Sequence, residues 1–380
     1  MLLTATCLFG LEKLVGEDID SLGYKRVETI DGRVTFEAPP EAVALCNINL
    51  RYAERLYINM GSFPATTFEQ LFQGVKSIPW ETYIGEYDAF PVKGHSIKSK
   101  LFSLPDCQKI IKKSIVTRLE SVYGRRLFPE TGVTYKVEFF ILNDKATLMI
   151  DTSGEGLHKR GYRIEANDAP IRETLAAAMV KISRPRDEVI LVDPCCGSGT
   201  IPIEAAIMDM NVAPGINRSF AAEKFPAFPP AMWEEARKQA KAREREPQRK
   251  IFGFDIDENA LDIARNNARR AGVTHIVFEN RDARAFTSPI PDARGTIVCN
   301  PPYGERLMDK ASAFRLYSDM GKAFSKNVPN WQLYIISSDE EFQKHFGRRA
   351  DKARKMYNGM IKCELFQFFR KTLDKPKGKC

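Results

Sequence analysis

From residue 188 onward the chain repeats one pattern: a short unbroken apolar run, a loop, and then a stretch of helical character. "EVILVD" precedes "IPIEAAIMDM", "KIFGFD" precedes "ENALDIARNNARRAG", and "HIVFEN", "GTIVCN" and "WQLYIISS" follow. Apolar runs without alternation are strands buried on both faces, and strands alternating with helices form a mostly parallel sheet covered on each side. The pattern therefore predicts a doubly wound α/β sheet. The closing "KCELFQFFRKT" is strand-like and is expected as an antiparallel edge addition. Residues 207–250 interrupt the pattern with the proline- and aromatic-rich "APGINRSFAAEKFPAFPPAMW" and the polar helix "EEARKQAKAREREPQRK".

The first 150 residues have another texture. Strands are expected at 5–9, 32–38 and 53–63, with helices at 11–23, ending at Gly23, and at 40–49, where Pro40 suits a first helical turn. This is a small α+β unit of split β-α-β character. Residues 64–150 add the helix "TFEQLFQGVKSI", the basic strand or loop "PVKGHSIKSK", and the helix "DCQKIIKKSIVTRLESVYG". Two strands joined across Asn143–Asp144 complete them. At 380 residues, 43% apolar and 28% charged, the chain is expected to be a globular protein of more than one domain. Its 57 basic and 49 acidic residues give a net charge of +8, which favours a polyanionic partner. No apolar run approaches membrane-spanning length, and the start lacks a basic leader. Eight scattered cysteines and four dispersed histidines predict a reduced cytoplasmic chain without a metal site.

Chemistry concentrates at the strand ends. "LVDPCCGSGT" places Asp193 at the end of a strand, then Gly197 and Gly199 before a helix, which allows a tight turn and close approach of a ligand. A bare G-x-G is also an ordinary strand-to-helix turn; it lacks the third glycine of a dinucleotide fingerprint and the Gly-Lys-Ser/Thr of a phosphate loop. "FGFDID" ends a second strand in Asp255, able to accept both hydroxyls of a ribose, and "ENRDAR" carries Asp282, able to accept an adenine amine. Either Asp257 or Asp282 equally suits a helix cap. Three carboxylates on one sheet edge beside one glycine loop describe an adenosine crevice.

These residues resemble the S-adenosylmethionine-dependent methyltransferases of the doubly wound, seven-stranded class. "DPCCGSGTIPIEAA" looks like their cofactor loop, "GFDIDENALDIARNNA" like their ribose-binding element, and "NPPYG" like their amino-methylating signature. The first half resembles the ferredoxin-like plus THUMP module of RNA-modifying enzymes, joined through "LHKRGYR" and "APIRETLAAAM". The whole is similar to the bacterial 23S rRNA guanine-N2 methyltransferases. The resemblance implies a ferredoxin-like domain over 1–63, a THUMP domain over 64–164, and a methyltransferase domain over 165–380 with the insertion 207–250. It implies S-adenosyl-L-methionine held by Asp193, Cys195, Gly197, Ser198, Gly199, Thr200, Asp255, Ile256, Asp282, Ala283 and Asn300. Structured RNA, 23S rRNA first, is the expected partner, with no membrane and no obligate protein partner. A tRNA guanine-N2 enzyme, an adenine-N6 DNA enzyme and a non-catalytic RNA-binding protein are the competing readings.

Asn300, Pro301, Pro302 and Tyr303 form the expected catalytic corner. An exocyclic amine is a poor nucleophile because its lone pair is delocalised into the ring. Acceptors aimed at its hydrogens orient it: the Asn300 side-chain carbonyl, and backbone carbonyls next to prolines that carry no N–H. Tyr303 offers a ring for stacking the base. Guanine and adenine pose the corner nearly the same problem. Arg306, which follows at once, suits either a base edge or a surface ion pair. Lys93, His95, Lys98 and Lys100, with His158, Lys159 and Arg160, are candidate RNA contacts, against the plainer reading of solvated charge. "GRRADKARK" (347–355) adds a further basic cluster. The aromatic residues Phe225, Phe228 and Trp233 of the insertion suit hydrophobic packing better than shelter for a flipped base.

Overall fold

The computed structural model describes residues 1–163, 171–303 and 309–370. It divides into two units: Met1–Cys7, Val15–Leu157 and Arg218–Ala240 form the first, and Leu8–Leu14, His158–Asn217 and the chain from Lys241 onward form the second.

The first unit is built on a seven-stranded sheet. In chain order its elements are β1 (Leu2–Cys7), α1 (Glu12–Ser21), β2 (Lys25–Ile30), β3 (Arg33–Glu37), α2 (Ala42–Asn49), β4 (Ala53–Pro64) and α3 (Phe68–Lys76). There follow β5 (Val92–Ile97), α4 (Leu104–Tyr123), β6 (Val137–Leu142) and β7 (Lys145–Asp151). The strand order is β2-β3-β1-β4-β7-β6-β5. The long strand β4 joins the two halves of this sheet, pairing with β1 from Leu3↔Ile58 and with β7 from Tyr57↔Asp151 to Pro64↔Lys145. Asn143 and Asp144 sit at φ 49° and 63°, the left-handed pair that a two-residue hairpin between β6 and β7 requires. β2 is an edge strand that its mostly polar, exposed sequence does not announce.

Part of the insertion docks here. Phe225 stacks on Tyr135 with ring centroids 4.2 Å apart, and Ala222 donates its N–H to the Thr152 carbonyl at 3.0 Å. Phe225, Phe228 and Trp233 are buried, so packing is their role. The helix α7 (Pro230–Lys241) opens earlier than its polar run suggests, because Pro230 takes the first helical position, where its missing N–H is no loss.

In the second unit the elements are α5 (Glu173–Ile182), β8 (Ile190–Asp193), α6 (Thr200–Asp209), β9 (Ile251–Asp255), α8 (Glu258–Arg270), β10 (Ile276–Asn280) and β11 (Gly295–Cys299). They continue with α9 (Lys310–Asn327), β12 (Gln332–Ser337), α10 (Phe342–Phe346), β13 (Lys352–Asn358) and β14 (Ile361–Phe368). The order is β10-β9-β8-β11-β12-β14-β13, parallel through β12 and antiparallel beyond it. β14 is thus not the edge; it lies between β12 and β13. The strand order reverses between β8 and β11, and at such a switch point the strand ends open a crevice for a ligand. Among the described residues no helix is long and apolar enough to cross a membrane.

Candidate active site

The crevice is walled by the turn between β8 and α6. Gly197 and Gly199 hold φ of 51° and 81°, left-handed values that glycine adopts without strain. A Cβ on Gly199 would come within 2.9 Å of the Ala264 Cβ on α8, so this glycine lets two helices approach. The loop is tied to β9: Cys196 donates its N–H to the Phe254 carbonyl and Gly197 donates to Asp255 Oδ2, both at 2.8 Å. Asp255 Oδ1 accepts the Asp257 N–H at 3.1 Å. The carboxylate assigned to a ribose therefore also fixes the glycine loop, and keeps lone pairs for a ligand.

Asp193 ends β8 almost wholly buried and accepts the Cys195 N–H at 3.1 Å. Burial, reinforced by the Asp255 charge, pushes its carboxyl up to about 8, against the bonds from Cys195 and the Cys299 thiol. A carboxyl held neutral in a cavity regains its charge when a cation enters.

The Asn-Pro-Pro-Tyr corner follows β11. Tyr303 donates its hydroxyl to Asn300 Oδ1 at 2.5 Å, and burial beside Cys363 holds that hydroxyl well above its usual range, so it stays a donor. Tyr317, buried on α9, donates to the Pro302 carbonyl at 2.7 Å. The Pro302 carbonyl and Asn300 Oδ1 thus each accept one tyrosine hydroxyl, and with two lone pairs each keeps capacity for another donor. Sequence reasoning missed Tyr317, whose place in an amphipathic helix marks it only as core. It gave Tyr303 a ring for stacking but no hydroxyl bond.

Around these residues lies a cavity of about 600 Å³. It is lined by Asp193, Cys195, Gly197, Ser198, Thr200, Asp255, Ile256 and all four corner residues, joined by Ile171, Arg172 and the β13–β14 turn. Gly199 stands behind the wall as the cap of α6. Asp282 and Ala283 line an adjoining cavity of about 510 Å³, which shares Cys195, Asp255, Ile256 and Pro302 with the first. Asp282 accepts the Arg284 N–H at 2.8 Å and pairs with its guanidinium, which holds its carboxyl below the usual range. Asp257 caps α8 through the Asn259 N–H.

The basic candidates separate. In the first unit Lys93, His95, Lys98 and Lys100 are exposed; Lys93 and His95 share the open face of the edge strand β5. In the second, Lys159 is exposed and His158 half-buried. Arg160 is corrected: it is 4% exposed, its Nε lies 3.6 Å from Glu204 Oε1, and Tyr162 donates to the same oxygen at 3.1 Å. A buried, paired guanidinium is a joint within the fold, not a phosphate contact. Arg163 likewise bonds Glu173 and the Thr200 hydroxyl, bracing α5 against the start of α6. Arg306 lies outside the described residues. Among the described residues no cluster of His, Cys, Asp or Glu is disposed to hold a metal.

A doubly wound sheet whose switch-point crevice joins a glycine loop to an Asn-Pro-Pro-Tyr corner defines a methyltransferase. The donor set fits S-adenosylmethionine: a buried neutral carboxyl for a cationic ligand, a second carboxylate at the end of the next strand, and room for a nucleoside. The sequence matches the ferredoxin-like domain of RlmL over residues 2–57, the THUMP domain over 65–151 and the RMKL-like methyltransferase domain over 160–367. It is 41% identical over 379 residues to the "Putative RNA methyltransferase YpsC" of Bacillus subtilis, covering 99% of this chain and 97% of that one. It is 34% identical over 361 residues to the ribosomal RNA large subunit methyltransferase K/L of Aliivibrio salmonicida, covering 93% of this chain and 51% of that protein. The chain thus spans about half the length of the K/L enzyme. The solved structure of "SMU.472, a putative methyltransferase complexed with SAH" superposes with a TM-score of 0.89 at 41% identity, with 98% of each chain covered. The chain belongs to the RMKL-like methyltransferases, THUMP-bearing enzymes that use S-adenosylmethionine.

Proposed function

We propose that this protein methylates the exocyclic N2 amine of a guanine in RNA, with 23S rRNA as the substrate. The observation that carries the reading is Asn300, its amide oxygen held by Tyr303, lining the same cavity as the cofactor loop. When bound, S-adenosylmethionine supplies an activated methyl group on a sulfonium. Asn300 Oδ1 and the Pro301 carbonyl accept the two hydrogens of the amine, which turns its lone pair out of conjugation. As the nitrogen gains positive charge those acceptors bind it more tightly, and its surplus proton passes to water after the methyl has transferred and the sulfur has left as a neutral thioether, so rate comes from positioning and charge stabilisation rather than from a general base. Tyr317 keeps the corner from shifting as the charge develops. A base in a duplex must first leave its stack, at a cost of a few kcal/mol.

The THUMP match, the exposed basic edge of β5 and the K/L relative support RNA as the polymer, and a ribosomal substrate favours a cytoplasmic location. Labelled S-adenosylmethionine incubated separately with under-modified rRNA, tRNA and DNA, followed by nucleoside analysis, tests the reading. N2-methylguanosine in rRNA is expected. Label confined to tRNA, or recovered as N6-methyladenosine, overturns it.

A further inference from the structure

The hairpin of β13 and β14 reaches the cavity with residues that belong neither to the glycine loop nor to the Asn-Pro-Pro-Tyr corner. Its turn, Gly359–Met360, lies between the paired Asn358 and Ile361, with Gly359 at φ 65° as a tight hairpin requires. All four line the cavity that holds Asn300 and Tyr303. Met360 is 97% exposed, a long apolar side chain standing in water at the mouth of an active site. The hairpin carrying it is anchored: β14 pairs with β12 on its other side, and Cys363 Sγ lies 3.9 Å from the Tyr303 hydroxyl. Met360 is thereby held in fixed relation to the corner that binds the amine.

The outer strand supplies charge and rings. Among the described residues, Lys352, Arg354 and Lys355 on β13 form no ion pair; Glu364, in register with Lys355, does not pair with it. The Lys355 ammonium lies 5.4 Å from the Tyr357 ring centre and 5.5 Å from that of Phe9, which is 42% exposed and meets Tyr357 edge-on. Cations interleaved with aromatic faces are what single-stranded nucleic acid binds, phosphates to the former and bases to the latter. From Lys355 to Asn358 at the cavity β13 spans about 10 Å, at about 3.3 Å per residue.

We propose that this hairpin seats the substrate strand: Met360 packs against the face of the extruded base, while Lys355, Tyr357 and Phe9 hold the nucleotides beside it. The proposal rests on the reading of the protein as an RNA methyltransferase. A flexible, polarisable thioether suits this position, because it conforms to a flat ring without demanding one base.

Single-turnover methylation of under-modified rRNA, with calorimetry of S-adenosylhomocysteine binding alongside, tests it. Met360→Ala is expected to raise the RNA concentration for half-maximal rate about tenfold, by analogy with lost base stacking, with cofactor-product affinity unchanged. Met360→Leu is expected to restore most of the loss. Lys355→Ala is expected to flatten the slope of log affinity against log salt by about 0.7, the share of one phosphate contact on a single strand. If Met360→Ala matches the wild type, or loses cofactor affinity in step with RNA affinity, the hairpin has no part in seating the base. If the wild type methylates DNA and not RNA, the substrate reading fails instead, and the same comparison on DNA decides the role of Met360.

Discussion

At Tyr303 the hydroxyl does as much as the ring, because it fixes the oxygen that must meet the amine. Asn300→Ala removes that oxygen and leaves the glycine loop intact. Turnover should fall by about a hundredfold, the scale of one preorganised charge-stabilising contact, and by far more than any loss of cofactor affinity, since Asp193, Gly197 and Asp255 stay in place. Tyr303→Phe keeps the ring but frees the amide to rotate, and should lower the single-turnover rate about tenfold; a rate equal to wild type shows that the bond is dispensable. Asp193 gives a pH prediction. Its carboxyl is raised to about 8, so the folded protein keeps a proton that an unfolded carboxyl releases near pH 4. The sign follows: the folded state holds the extra proton, so the stability this group contributes is full below about pH 4, falls as pH climbs from about 4 to about 8, and is lost above that. A cation entering the cavity draws the carboxyl back down and expels the proton. Affinity for S-adenosylmethionine, whose sulfonium makes it a net cation, should rise with pH toward about 8, with proton release visible in buffers of different ionisation heat, and the neutral thioether product should show a weaker dependence. Asp193→Asn should abolish both.

Among the elements, the parallel sheet was the most legible, because β8, β9, β11 and β12 are unbroken apolar runs set between helices. β2 was hidden by its exposed, mostly polar sequence, and the placement of β14 between β12 and β13 depends on pairing that no local pattern encodes. In the site, residues next to the motifs were legible: Asp193, Asp255 and Asn300 face one cavity. Tyr317 and Met360 were not, since their roles arise only when distant elements meet. Arg160 shows the same limit from the other side. Its basic neighbours suggest a phosphate contact, but its partner Glu204 lies on a helix 44 positions away in sequence. Arg160→Ala leaves that buried carboxylate uncompensated and should cost about 3–5 kcal/mol of stability. Urea unfolding measures this; normal stability with weakened RNA binding would return Arg160 to the RNA surface.

For the whole molecule, the chain leaves the first unit briefly at Leu8–Leu14, leaves it again after Leu157, returns for Arg218–Ala240, and then stays in the second. Phe225→Ala removes the ring that stacks on Tyr135 and should destabilise the first unit by about 3–5 kcal/mol, as large-to-small core changes do, while leaving the cofactor affinity of the second unchanged. Thermal unfolding with and without S-adenosylhomocysteine distinguishes the two effects.

The return of that segment also sets an order of events on the ribosome. About sixty residues separate Leu157 from Arg218, and at about 5–20 residues per second they take about 3–12 s to synthesise. Throughout that interval the nascent first unit has every strand of its sheet but an uncovered apolar face around Tyr135. The chain is then most open to capture by a chaperone or by another nascent copy, and slow codons between those positions would lengthen the exposure.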